Sequence, residues 1–341
     1  MHFVLASAGL RRILYSLALA AGSLPLVAQS GNSIPSGSLR VTLAAGTPAA
    51  PTTTAFALLL TKKTTAPGAA SGRITTLSAT SLSLASAGWT AGSLATASAP
   101  HAIRITSGAA AGRILGIVAN TADTLTLGGP DLATLGLVVG DSFELVPLET
   151  LNSLFGSGTL TGGANPASAD IVHLGGQTRD SYYYNSSQRQ WRKVSGRPID
   201  AGQIVLYPDA PILVSRTGAA VTLSLTGRVP TTPFRADVAN TGNTYTHTGF
   251  PTDVTLGALA LQTRIPSWTS ATTAALADKI YLHADNSWRG YFHNGTAWVA
   301  ATGEASSQDA LSLPAGSPVL IVRPGLNDGS TALVRPLPYS L

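Results

Sequence analysis

The chain has 341 residues, enough for about two domains, and 44% of them are hydrophobic, so the protein can bury a sizeable core. Only 11% of the residues are charged, compared with about 25% in typical soluble domains, and the net charge of +5 is spread thinly. Nucleic acid is therefore not an expected partner, because phosphate binding requires clustered lysine and arginine. The absence of cysteine excludes disulfides, thiolate metal sites and cysteine nucleophiles.

Residues 1–30 have the pattern of a secretory signal peptide. Two arginines, Arg11 and Arg12, precede an apolar run over residues 13–27, and the small residues Ala28 and Ser30 fit the cleavage rule. A transmembrane anchor is the alternative, but the run is shorter than the ~20 residues of a span and contains a glycine and a proline. We therefore expect cleavage after Ala28 or Ser30 and export to the cell surface, extracellular space or periplasm. No transmembrane span is expected in the mature protein.

Short strands are predicted along the rest of the chain, so the expected fold class is all-β. In residues 31–155, apolar segments recur about every ten residues and are separated by glycine and asparagine turns, which indicates a small β-barrel or sandwich domain. Residues 156–168 are rich in glycine and are predicted to be a linker. Residues 169–341 are predicted to form a second, C-terminal β domain.

The C-terminal domain contains an internal repeat. The sequence around Trp191 recurs around Trp298. The apolar segment that ends at Arg216 recurs as the segment that ends at Arg323. The order of matching segments is kept, and the offset stays between 107 and 109 residues. We therefore predict a duplicated antiparallel β unit, with copies at 169–230 and 277–338 that share one strand order and superpose Trp191 on Trp298 and Arg216 on Arg323.

Each copy is predicted as a strand, a tyrosine-rich strand, a tight turn at an asparagine, a tryptophan strand, a polar loop and an apolar strand. The dipeptide Asn294-Gly295 is a strong hairpin signal, because both residues tolerate the positive φ angles of a two-residue turn. Residues 236–271 join the copies. Within this segment the apolar run 255–263 is compatible with a further strand.

Three segments of the chain carry a resemblance. They are the glycine, arginine and asparagine pattern over 107–127, the text GDSFELVPLETLNSLFG from Gly140, and the tyrosine, tryptophan and LVSR series of the first repeat. In this order they resemble an uncharacterised family of exported bacterial β-rich proteins that is best represented in the Verrucomicrobia. The resemblance implies export and a β-rich fold. It implies no catalytic residues, because that family has no assigned activity.

No motif for a known chemistry is found in the sequence. The chain lacks the nucleophile elbow, the phosphate loop, the HExxH zinc motif and the complete EF-hand loop, so no catalytic residue, metal ligand or cofactor is predicted. A glycosidase would need two carboxylates within about 5 to 10 Å of each other. The carboxylates considered for such a pair are Asp170, Asp180, Asp200, Asp209, Asp278, Asp285, Glu304 and Asp309.

Seven residues are candidates for binding. Sugar rings stack on exposed aromatic faces, so the aromatic residues of the repeats could form a platform, although the same rings could instead be the core of their hairpins. The repeated arginines could contact a ligand or, alternatively, bond buried carbonyl groups. The candidates are Tyr182, Tyr184, Trp191, Tyr291, Trp298, Arg216 and Arg323.

These observations favour an exported, non-enzymatic structural or adhesive protein of the cell surface or extracellular matrix, which could associate with itself through strand edges. A carbohydrate-binding module is the alternative, with surface polysaccharide as its partner. A polysaccharide-acting enzyme is the third hypothesis. Exposure of the aromatic rings separates the first two, because a platform must face solvent and a scaffold must not.

Overall fold

Strands dominate the fold. We analysed a computed structural model of the protein, in which strands make up about 42% of the chain and helices about 5%, so the all-β class is confirmed. None of the helices in the described part is long and apolar enough to span a membrane. The signal peptide predicted for residues 1–30 lies outside the described part. The described residues are 35–175, 180–197, 199–303, 306–325 and 329–340.

Two strands open the described chain, β1 (Ser36–Leu43) and β2 (Thr52–Phe56). In β1 the apolar residues Leu39, Val41 and Leu43 alternate with polar ones, and Leu43 is fully buried. This period of two is the pattern of a strand with one face toward a core.

A small β domain follows and forms a sheet in the order β3-β10-β7-β8-β9-β5-β4, with β6 against β7. Residues 71–77, which carry β3 and β4, pair with β10 through their first half and with β5 through their second half. The sheet therefore curls round on itself and encloses a separate core that includes Trp89 and Phe143. The strands are β3 (Ser71–Arg73), β4 (Thr76–Leu77), β5 (Ser81–Ser83), β6 (Ala95–Thr96), β7 (Ala99–Ile105), β8 (Ile114–Asn120), β9 (Thr124–Leu127) and β10 (Ser142–Pro147).

The next segment contains the first predicted repeat. Its short helix α1 begins after Thr150, whose hydroxyl accepts a hydrogen bond from the Ser153 backbone N–H and so caps the helix. The elements are β11 (Glu149–Thr150), α1 (Leu151–Phe155), β12 (Ile171–Leu174), β13 (Asp180–Asn185), β14 (Gln190–Lys193), β15 (Val205–Leu206), β16 (Ile212–Arg216) and β17 (Val221–Arg228).

The last segment contains the second predicted repeat. Thr255 caps α2 as Thr150 caps α1, because its hydroxyl accepts a hydrogen bond from the Ala258 N–H. The elements are β18 (Phe234–Ala239), β19 (Gly242–His247), β20 (Val254–Thr255), α2 (Leu256–Leu259), α3 (Leu261–Arg264), β21 (Lys279–Ala284), β22 (Ser287–His293), β23 (Trp298–Ala300), β24 (Ser312–Leu313), β25 (Pro318–Arg323) and β26 (Ser330–Arg335).

The two repeats build the same five-stranded sheet. The order is β2-β16-β12-β13-β14 in one and β19-β25-β21-β22-β23 in the other, so the two copies share one strand order. Trp191 and Trp298 occupy the corresponding edge strands β14 and β23. Arg216 and Arg323 end the corresponding strands β16 and β25.

The duplicated unit is larger than predicted. The pair β1·β17 has its counterpart in β18·β26, and the pair β11·β15 has its counterpart in β20·β24. The first copy is therefore made of residues 36–56 and 149–228, and the second copy of residues 234–335. The small β domain, residues 63–147, is inserted into the first copy, where the second copy has a loop of residues 248–253 between β19 and β20.

Three details of the predicted organisation differ from the structure. Strands β1 and β2, assigned to a domain at 31–155, pair with β17 and β16, and residues 34–341 form one unit by their contacts. The predicted linker 156–168 contains Leu160, which is packed in the core of the first copy. The run 255–263 forms helices α2 and α3 instead of a strand, because the threonine cap starts a helical turn.

The inserted domain, residues 63–147, contacts both copies through charged groups. Arg113 pairs with Asp237 of the second copy at 2.7 Å, and Glu144 lies 3.7 Å from Arg228 of the first copy. Gly112 has a φ of +87°, and a Cβ atom there would lie 2.2 Å from the Pro233 carbonyl oxygen, so only glycine permits this close approach.

A chain in which a flexible linker of about eight glycine and serine residues, with a reach of roughly 16 Å, replaces residues 63–147 is expected to fold. The ends to be joined are close, because Lys62 forms an ion pair with Glu149. Near-UV circular dichroism should retain the signal of buried Trp191 and Trp298, and the urea midpoint should fall because the charged contacts to the inserted domain are lost. Loss of the near-UV signal with retained strand content would contradict the insertion interpretation.

Candidate functional site

The aromatic residues predicted as a binding platform are buried. Trp191 and Trp298 are 0% exposed, and the three tyrosines Tyr182, Tyr184 and Tyr291 are between 5% and 9% exposed. The Trp191 ring lies 5.9 Å from that of Tyr184 in an edge-on arrangement. This corrects the binding prediction for these five residues. Their rings fill the cores of the two copies, because their strands direct them to the inner face of each sheet.

Arg216 has a structural role in the first copy. Its Nη1 atom lies 3.0 Å from Oδ2 of Asp170, and both side chains are at most 3% exposed. It also donates to the Ala219 carbonyl and, at 3.4 Å, to the Thr159 carbonyl. The same carboxylate accepts the Thr161 N–H at 2.7 Å. The pair therefore fastens the segment before β12 to the end of β16.

Arg323 repeats this arrangement in the second copy. Its Nε atom lies 3.1 Å from Oδ2 of Asp278, and it donates to the Ser267 carbonyl at 2.6 Å. Asp278 accepts the Thr269 N–H at 2.9 Å, nine residues before it, as in the first copy. Arg216 and Arg323 thus bond buried groups and offer no surface to a ligand, which corrects their assignment as binding residues.

The carboxylates considered for catalysis are engaged in separate local contacts. Asp180 pairs with Lys193 at 2.7 Å, and Asp309 accepts the Trp298 N–H at 2.9 Å. Asp200 accepts the Gly202 N–H, and Asp285 pairs with Arg289. Glu304 lies outside the described residues. Among the described residues, no group of three or more histidine, cysteine or acidic side chains could hold a metal ion.

An open groove lies on the outer face of the second copy's sheet. It has a volume of about 510 Å³ and is lined by residues of β21, β22 and the segment after β23. Tyr281 on β21 and Trp288 on β22 are both partly exposed. They project from the same face, because Tyr281 is paired with Gly290, two residues from Trp288. Polar side chains of Thr302, Ser306 and Gln308 stand along one rim.

Among the described residues of the first copy, the positions that correspond to Tyr281 and Gly290 carry no tyrosine, tryptophan or phenylalanine. The strand pairing places His173 opposite Ser181, as Tyr281 lies opposite Gly290, and the two first-copy residues bond through the His173 Nδ1 and Ser181 Oγ atoms at 2.7 Å. Sequence reasoning missed the groove because it searched for residues that repeat. The signal that could have found it is the opposite one, namely an aromatic residue in one copy where the other has none.

A second cavity of about 170 Å³ lies where the inserted domain meets the first copy. Its polar lining includes the ion pair of Lys62 and Glu149, and Glu149 also accepts a hydrogen bond from Ser153. The remaining lining is largely aliphatic, from leucines such as Leu58 and Leu206. The cavity is therefore bordered by a partly exposed ion pair and presents one carboxylate, fewer than a glycosidase requires.

His247 is a buried histidine at the contact between the copies. The Gly249 N–H donates to its Nδ1 at 3.0 Å, and its Nε2 lies 2.8 Å from the Pro208 carbonyl oxygen, so Nε2 carries the proton of the neutral ring. Burial lowers the pKa of His247 to about 4, because a second proton would be desolvated and would displace the Gly249 bond. Nearby Arg335 lowers the pKa further.

The pKa of Asp209, in the loop before β16, is shifted in the opposite direction. Burial raises the pKa of Asp209 to about 6, and the negative charge of Asp237 adds to the rise, while Arg113 and Arg104 oppose it. The folded protein therefore favours neutral Asp209, a contribution to stability that is present below the ordinary pKa and is lost as the pH rises through about 6.

A scan against protein-family models and searches of curated proteins and of solved structures find no match for this chain. The resemblance to an exported verrucomicrobial family therefore stays a prediction.

The substitutions Asp170→Asn and Asp278→Asn are each expected to lower the free energy of unfolding by about 3 to 5 kcal/mol, because each leaves a buried guanidinium unpaired. The matched control is Asp180→Asn, whose ion pair with Lys193 is more than 40% exposed on both side chains and should contribute less than about 1 kcal/mol. Urea unfolding followed by tryptophan fluorescence measures all three. Equal losses at the buried and exposed sites would show that the ion pairs do not hold the loops.

The stability of the protein relative to His247→Gln should fall as the pH drops from about 6.5 to about 4. The unfolded chain binds a proton in this window and the folded protein does not, a difference on the order of 3 kcal/mol over the whole range. Glutamine can keep both hydrogen bonds without titrating, and both proteins contain Asp209, so their difference isolates His247. Denaturation at several pH values measures it, and a pH-independent difference would contradict the assignment.

Proposed function

We propose that this is an exported, non-enzymatic structural or adhesive protein of the cell surface or extracellular matrix. The observation that carries the proposal is burial: the side chains best suited to binding or catalysis lie inside the two copies. The repeated tryptophans and tyrosines fill the two cores, and the repeated aspartate–arginine pairs are buried. The outward surface is formed mainly by small polar residues, as in the exposed Thr42–Thr222 pair of β1 and β17.

The architecture supports a role that depends on shape. Two copies of one unit are joined directly, because Asn286 in the β21–β22 turn of the second copy accepts a hydrogen bond from the Thr53 N–H of the first at 2.8 Å. Asn286 and Asp285 both have positive φ, the conformation of a tight type I′ hairpin that projects a side chain at its tip. Such a hairpin covers part of the free edge of β2 and connects the two copies.

Self-association is part of the proposal. Strand β1 has eight residues and, in the described part of the chain, pairs along one edge only, with β17. An exposed strand edge of this length is a template for pairing with another chain, and Arg40 within it is a charge that limits unspecific pairing.

Export is expected to yield a mature protein that begins at Gln29 or Gly31. Cell fractionation followed by intact-mass spectrometry of the protein from the extracellular, surface and periplasmic fractions measures this. The matched control carries Arg11→Glu and Arg12→Glu, which remove the positive charge that precedes the apolar run and should retain the precursor in the cell. Recovery of the uncut chain in the cytoplasm in both cases would contradict export.

The assembly state of the exported form then separates the two roles. Size-exclusion chromatography and electron microscopy should show oligomers or filaments if the role is structural. A monomer would favour adhesion. For adhesion the groove on the second copy supplies a specific surface, and carbohydrate binding is the second candidate function that it favours.

A further inference from the structure

The groove on the second copy has the shape of a binding site. Its volume of about 510 Å³ falls within the ~300 to 1,000 Å³ that is typical of small-molecule sites. It combines two partly exposed rings, Tyr281 and Trp288, with the hydroxyl and amide groups of Thr302, Ser306 and Gln308. No carboxylate is among the described residues that line it.

The tryptophan ring of the groove is held in place before any ligand binds. Trp288 is contacted edge-on by His283, at 5.2 Å between ring centroids, and by Tyr245, at 6.1 Å. Both contacts are close to perpendicular, with interplanar angles of 71° and 70°. A ring fixed in this way loses little conformational freedom when a ligand stacks on it, so the cost of binding is low.

The tyrosine ring is held by a glycine. A Cβ atom at Gly290 would lie 3.0 Å from Cε1 of Tyr281, closer than ordinary van der Waals contact, so the ring rests on the bare backbone of β22. Any larger residue at this position would lift the ring off the sheet. Gly290 has no positive φ, and its backbone therefore does not require glycine. The missing side chain serves the placement of Tyr281.

Comparison of the two copies indicates that the rings of Tyr281 and Tyr245 are not needed to build this sheet. The first copy builds the same sheet with His173 and Ser181 at the positions of Tyr281 and Gly290, and with Ala55 at the position of Tyr245. A fold that is satisfied by small and polar residues in one copy does not explain a cluster of aromatic residues on the outer face of the other. The aromatic cluster is therefore an addition to the framework.

We propose that this groove binds a neutral polysaccharide through pyranose rings stacked on Trp288 and Tyr281. Pyranoses with equatorial hydroxyls present flat faces of C–H groups, which pack on aromatic faces, while the hydroxyls at their edges bond to groups such as Gln308. The one charged side chain among the described lining residues, Arg289, is already paired with Asp285 at 3.0 Å, which argues for a neutral sugar. This inference names the ligand of the adhesive role and rests on that proposed function.

The test is isothermal titration of the mature protein with soluble β-1,4-glucan, β-1,3-glucan, α-1,4-glucan and mannan oligosaccharides. We expect at least one of them to bind. Trp288→Ala should weaken that binding at least tenfold, and Tyr207→Ala, which removes an exposed ring elsewhere, should leave it unchanged. Absence of binding by all four at millimolar concentration would overturn the proposal.

The most specific variant is the double substitution Tyr281→His with Gly290→Ser, which introduces the first copy's residue pair at the equivalent positions of the second copy. It should fold, because the first copy accommodates this pair on the same sheet, and its thermal unfolding midpoint provides the control. Binding should fall at least tenfold. Binding equal to that of the unaltered protein, with the fold intact, would also overturn the proposal.

Failure of the glycan site and failure of the proposed function are distinguishable. The titration uses purified protein and does not depend on export. An exported protein that binds none of the four sugars would support the structural role and contradict the proposed sugar site. A protein that binds sugar but stays in the cytoplasm would support the proposed sugar site and contradict the role at the cell surface.

Discussion

A buried aspartate–arginine pair organises each half of the duplicated framework. Removing a carboxylate and a guanidinium from water costs several kcal/mol for each ion, and their attraction offsets this only when the remaining hydrogen bonds are also made. In both copies backbone groups make most of them: loop N–H groups donate to Asp170 and Asp278, and loop carbonyls accept from Arg216 and Arg323. One buried nitrogen of each arginine, Nε of Arg216 and Nη1 of Arg323, has no hydrogen-bond partner among the described residues. The pair thereby places the segment that closes the core over Trp191 or Trp298, and the rest of the unit depends on it.

This self-contained unit explains why the chain tolerates both a large insertion and divergence. The inserted domain, residues 63–147, has its own hydrophobic core and enters between β2 and β11, where the second copy has a short loop. Neither ion pair involves its residues. The outer face of each sheet is equally free to change, because the core lies on the inner face. The first copy carries polar residues there, and the second carries the aromatic groove.

The repeat was predictable from sequence where its residues are chemically distinctive, as at Trp191 and Trp298, and not where only backbone pairing is shared. Strands β2 and β19 take the same place in the two sheets, yet their sequences TTTAF and GNTYTH have no pattern in common. The insertion makes the correspondence of β2 and β19 harder to detect, because it separates β2 in sequence from the other strands of its sheet. Burial of the aromatic residues could not be predicted either. Aromatic residues recur at every second position of a strand whether the face that they share is buried in a core or exposed as a binding platform. The groove depends on Gly290 beneath Tyr281, a contact between neighbouring strands that no linear motif reveals.

The most direct test of this account is native-state hydrogen exchange of residues 156–168, the glycine-rich segment between α1 and β12 of the first copy. If the Asp170–Arg216 pair holds this segment, the Thr161 N–H, which donates to Asp170, should exchange as slowly as amides of the core strand β12. The equivalent Thr269 N–H in the second copy should behave in the same way. Exchange of both amides at the rate of an unprotected loop would show that the pairs do not organise the fold.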